Sequence, residues 1–114
     1  NRLGSPKRGN VIDYTKDSAG YEQAYIGRVV GLPNETVFIK PGEIKVNDNV
    51  INEPYADLSN WAENREQQIP LKSDEYLVLY DKRGGDTPIV KRDQIVGVFY
   101  FRWWAIKDLG FIKY

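Results

Sequence analysis

The chain contains no histidine and no cysteine, so any acid–base or nucleophilic chemistry must rest on lysine, carboxylates, phenols and hydroxyls. That removes thiol nucleophiles, Ser-His-Asp triads and imidazole or thiolate zinc sites; neither a metal nor a cofactor is expected. Acid pairs such as Asp57/Glu63 and Glu63/Glu66 have the right residue types for proton transfer. Nothing in the sequence sets them about 5–9 Å apart across a cleft, and they read as solvated surface acids. Gly84-Gly85 is followed by no Gly-Lys-Ser/Thr and no helix pattern, so it is not a phosphate cradle. Arg102-Trp103-Trp104 has base-stacking chemistry, but it extends an apolar strand in a chain with 16 basic and 16 acidic residues. Packing outweighs nucleic-acid binding there. Lysine is the remaining general base, since a desolvated ammonium loses its proton more easily. Yet Lys40 and Lys45 flank a turn, and Lys82 and Lys91 sit in polar loops, away from strand interiors where desolvation occurs.

The elements that must carry such residues read as short strands. At 114 residues, 41% hydrophobic and 13% aromatic, the chain suits one mostly β domain. Val11–Tyr14 is a brief apolar run after Pro6-Lys7-Arg8-Gly9. Ala24–Leu32 is the strongest strand, β-branched and closed by Pro33. Thr36–Lys40, Glu43–Val46 and Val50–Asn52 follow as a tight meander, joined at Pro41-Gly42 and Asn47-Asp48-Asn49. Tyr76–Tyr80 and Gln94–Trp104 are two further buried-looking strands, with Asp81–Asp86 as a loop. Tyr55–Gln68 is polar; Asn60 and Glu63 are spaced as a capping box, so it is a short helix around Trp61 or an irregular excursion. No stretch approaches the ~18 apolar residues of a membrane span, and the opening residues form no signal peptide. With no initiator Met, the chain reads as an excised ectodomain.

The order of the motifs resembles the type I signal peptidases, the S26 serine peptidase family. Tyr25-Ile26-Gly27-Arg28-Val29-Val30-Gly31-Leu32-Pro33 is similar to that family's signature strand, Y-I-K-R-V-I-G-L-P. Lys7–Ile12 resembles its "K-R-G-D-I-V" strand. Pro41–Asp48 and Asn52-Glu53-Pro54-Tyr55 resemble "G-x-x-x-V-N-G … N-E-P-Y". Tyr76–Arg83 is similar to "Y-F-V-L-G-D-N-R", and Ile95–Trp104 to "I-V-G-R-V-x-F-R-Y-W". The resemblance implies coiled antiparallel sheets over residues 1–114, with a small cap region over approximately 47–72. It also implies attachment to the extracytoplasmic face of the cell membrane through an N-terminal anchor absent from this chain.

The departures from the family pattern set the functional expectation. The family's catalytic Lys stands where this chain has Gly27, and its Ser motif would lie upstream of Asn1. The "x-N-S-x-D-S-R" continuation is replaced by Gly84–Ile89, and the glycine of "G-D-N-R" has become Tyr80. The resemblance therefore implies no catalytic residue here and no enzymatic activity. What it leaves is a peptide groove: Ala24, Tyr25, Ile26 and Gly27 along the strand, Val78 and Leu79 as the floor of a small apolar pocket, and Tyr80 beside them. Tyr80 is expected to fill, over Gly27, the space a lysine stem would take; the alternative is that it points outward as a partner contact. The expected role is that of signal-peptidase-like factors of streptococcal pilus assembly, holding a pilin subunit or the sortase as a protein partner. An active peptidase using a displaced lysine, and an interaction domain without a working groove, are the alternatives.

Overall fold

A computed structural model describes residues 5–57, 66–84 and 86–99. Among these residues the regular structure is a 3-10 turn at Arg92–Gln94 and nine strands: β1 (Val11–Ser18), β2 (Tyr21–Gly31), β3 (Thr36–Lys40), β4 (Glu43–Val46), β5 (Asn49–Val50), β6 (Gln67–Pro70), β7 (Glu75–Leu79), β8 (Ile89–Lys91) and β9 (Ile95–Phe99). They form a five-stranded sheet, order β8-β7-β2-β1-β9, and a four-stranded sheet, order β5-β4-β3-β6. All strand pairings are antiparallel, as expected of a mostly β chain.

Turn chemistry sets the registers. β4 and β5 are joined by Asn47 (φ 48°) and Asp48 (φ 73°), the two left-handed positions of a type I′ hairpin, which Asn and Asp tolerate. Thr36–Lys40 and Glu43–Val46 fold over the predicted ranges. β1 runs four residues beyond Tyr14 to Ser18, because the polar Thr15–Ser18 stretch pairs with Tyr21–Ala24 across a hairpin. β6 and β8 were not expected from sequence: Gln67–Pro70 is polar, and Ile89–Lys91 is only three residues long. The Trp61 helix and the Tyr100–Trp104 end of the last predicted strand lie outside the described residues.

The core has two parts. Val30, Val37, Ile39, Ile44, Val46, Leu71, Leu77 and Leu79 pack together where the sheets meet. Ile12, Tyr14, Val29, Tyr76, Val78 and Val90 form a second cluster. Alternation along β7 sends Tyr76 and Val78 to one cluster and Leu77 and Leu79 to the other. That is why Tyr76–Leu79 reads as an unbroken apolar run: the strand is covered on both faces.

Candidate functional site

The strand with the strongest motif is also the one with an open edge. β2 pairs with β1 along Tyr21–Arg28, but β7 meets it only at Arg28, Val29 and Gly31. Among the described residues, therefore, no strand pairs with the β7 side of β2 from Tyr21 to Gly27. Ala24 is exposed and Ile26 is 58% exposed; Tyr25 and Gly27 face the other way. A free strand edge with alternating side chains is what an incoming extended peptide needs.

On the Tyr25 face lies an open cavity of about 480 Å³, lined by Tyr14, Lys16, Tyr25, Tyr80, Asp86 and Thr87, among others. The Tyr14 and Tyr25 rings stack, centroids 5.6 Å apart. Burial, with added repulsion from the Tyr80 and Tyr25 phenols, pushes the Tyr14 hydroxyl up to about 12; it is a neutral donor at physiological pH, not a base. Lys16 was missed from sequence because β1 was expected to stop at Tyr14. The alternation Ile12-Tyr14-Lys16 places it on the face of Gly27, which pairs with Ile12. Strand rise puts it roughly 13 Å from that level.

Gly27 is buried, and its missing side chain has a structural counterpart. A Cβ built there would stand 2.5 Å from Val78 Cγ1 and 3.5 Å from Leu79 O. Val78 therefore borders the space that a side chain at residue 27 would enter. Tyr80 is 47% exposed and lines the open cavity. The expected groove set divides accordingly. Ala24, Tyr25, Ile26 and Tyr80 are accessible to differing degrees, whereas Val78 and Leu79 are 1% and 4% exposed and point into different clusters.

The remaining motif residues meet in a set of ion pairs behind the site. Arg28 Nε and Nη2 donate to the two oxygens of Asp81, each at 2.8 Å, while Nη1 donates to Gly9 O at 2.9 Å. Its guanidinium also stacks 3.9 Å over the Tyr55 ring. Arg83 forks Glu53 at 2.6 and 3.1 Å and donates to Tyr80 O. Arg8 forks Glu35 at 2.7 and 2.8 Å. Burial works against the Glu35 carboxylate, but the bonds from Arg8 and the Leu32 amide outweigh it and hold the group below its ordinary value. Burial and the neighbouring Glu53 carboxylate raise the Tyr55 phenol well above its ordinary range. Fixed, charge-assisted forks of this kind position loops; these arginines are committed to the scaffold. Among the described residues no cluster of acids is arranged to hold a metal ion.

The sequence profile of the family described as signal peptidase, peptidase S26, matches residues 1–104. The chain belongs to the S26 signal peptidase family. A probable signal peptidase I-2 of Synechocystis sp. is 28% identical over 120 residues, covering 97% of this chain and 54% of the relative. Signal peptidase I of Leptolyngbya laminosa is 30% identical over 116 residues, covering 92% and 56%. The chain thus spans about half the length of these curated relatives. A crystal structure of a signal peptidase I from Enterococcus faecalis superimposes with a TM-score of 0.67, covering 85% of this chain and 98% of that one at 22% identity. It confirms the signal-peptidase fold. These relatives also correct the expectation of a chain without enzymatic activity: they are named as signal peptidases, which are enzymes.

Proposed function

We propose that this chain is the peptide-engaging part of a signal peptidase I-type serine peptidase, working at the extracytoplasmic face of the membrane. The substrate lies extended along β2 and pairs with the backbone of Ala24–Gly27. The observation that carries this reading is the edge left open where β7 stops at Arg28, flanked by the tyrosine-lined cavity. Since residue 27 has no proton acceptor, the base is a displaced lysine. Lys16, on the same sheet face and lining that cavity, is the first to test.

The test is time-resolved mass spectrometry of Ala-x-Ala peptides with the full protein. Specific cleavage after a small residue, lost in Lys16→Met, supports the reading. Cleavage unaffected by Lys16→Met moves the base elsewhere. Peptides that bind but are never cut refute the hydrolytic part, and peptides that fail to bind refute the edge itself. The glycine at 27 favours one second reading, that the same edge engages a pilin subunit or a sortase during pilus polymerisation. Ile26→Asp would then leave an unpaired carboxylate in the docked interface and stop polymerisation.

A further inference from the structure

The outer face of the four-stranded sheet carries a second concavity, of about 490 Å³, lined by Thr36, Phe38, Lys45, Asn47, Asp48 and Gln68. It lies on residues that the β2 edge does not use. Phe38 is half-buried at its centre, and its partners in register are Lys45 on β4 and Gln68 on β6. An aromatic ring flanked on both sides by polar side chains is not a core position, since neighbouring Val37 and Ile39 supply the buried face.

One wall is built in advance. The Asn47 side chain accepts from the Thr36 amide at 2.9 Å, and the Asn47 amide donates to Thr36 O at 2.9 Å. The left-handed Asn47-Asp48 turn is thereby clamped to the start of β3, holding Asp48 at the rim. Beyond the backbone ladders of Lys45 and Gln68, the side chains of Lys45, Asp48 and Gln68 make no hydrogen bond or ion pair with other described residues. Their donors and acceptors are available to a ligand.

The chemistry of the lining narrows the class. Lys45 and Asp48 cancel in charge, and Lys40 nearby is paired with Glu43 at 3.1 Å, so there is no surplus charge to draw a nucleic acid or a phosphate. β3 is paired on both sides, so no peptide backbone can add to the strand that carries Phe38. A single ring, without further apolar walls, is too little for a lipid chain. What fits is a neutral molecule with one apolar face and a periphery of hydroxyls that both donate and accept. We infer that this concavity binds a neutral saccharide, one pyranose face lying on Phe38 and its hydroxyls bonded to Gln68, Asp48 and Lys45.

The test is ligand-observed NMR and calorimetry on the full protein with the N-acetylglucosamine trimer, cellotriose and maltotriose. A sulfated disaccharide serves as the charged control. The expected result is millimolar or tighter binding of at least one neutral trimer. Phe38→Ala should weaken it tenfold or more, and Gln68→Ala or Asp48→Ala severalfold. Gln68 and Asp48 are exposed, so those variants carry the test if Phe38→Ala does not fold. No binding of any neutral trimer, affinity unchanged in both Gln68→Ala and Asp48→Ala, or preference for the sulfated sugar would overturn the inference.

Discussion

Adding one methyl group at residue 27 probes the wall that Val78 presents to the signature strand. The new Cβ would lie 2.5 Å from Val78 Cγ1, more than an ångström inside ordinary contact. Val78 is 1% exposed and packed with Ile12, Tyr14, Val29, Tyr76 and Val90, and a β-branched side chain has few rotamers to retreat into. Overpacking of this kind costs about 1–3 kcal/mol. Alanine recovers about 0.5–1 kcal/mol over glycine in a strand; with the 2.5 Å contact at the upper end of the overpacking range, Gly27→Ala is destabilised by about 2 kcal/mol. Val78→Ala alone removes two buried methyl groups and costs about 2–3 kcal/mol. In the double variant the new methyl enters the vacated space, so the combined loss should fall short of the sum by about 1–2 kcal/mol. Urea unfolding of the four proteins, followed by intrinsic fluorescence, measures the cycle. Additive losses, or a Gly27→Ala protein as stable as the parent, would show that Val78 is not the obstacle. Gly27→Lys meets the same wall, so on its own it should neither fold as stably as the parent nor exceed the parent's peptidase activity.

Arg28→Lys keeps the charge but loses the fork on Asp81 and the cover over Tyr55, and should cost about 1–3 kcal/mol in the same unfolding assay. Tyr80→Gly, by contrast, removes a half-exposed ring and should stay within about 0.5 kcal/mol of the parent while weakening peptide binding in the cavity. Glu35, held below its ordinary 4.5, contributes stability that is fully present above that pH. The contribution is lost as pH falls through the lower folded value. Glu35→Gln should therefore be less stable at pH 7 and show a shallower loss between pH 5 and 3.

The strands that alternate or run apolar were legible in the sequence because burial dictates them. Thr36–Lys40 and Glu43–Val46 are bounded by Pro41-Gly42 and by an Asn-Asp pair whose φ values only a few residue types tolerate. The polar half of β1 and the whole of β6 were not legible, since their pairing comes from neighbouring strands and not from their own composition. The site was legible in part. The motif located β2, but only the pairing shows that its edge is open from Tyr21 to Gly27. Lys16 was hidden by an early strand end. Motif spacing names Val78 and Tyr80 alike, and only the structure shows that Val78 Cγ1 would stand 2.5 Å from a Cβ at Gly27.

The three arginine forks have a kinetic consequence. Arg8–Glu35, Arg83–Glu53 and Arg28–Asp81 join positions 27, 30 and 53 residues apart, so none can form until the intervening chain has closed into its strands. Where such contacts form after the folding transition state, they add nothing to it. Their strength then hardly changes how fast the chain folds and acts mainly on how slowly it opens. The forks thus work as latches on an already assembled molecule, setting its lifetime against proteolysis where cleavage outpaces reclosing.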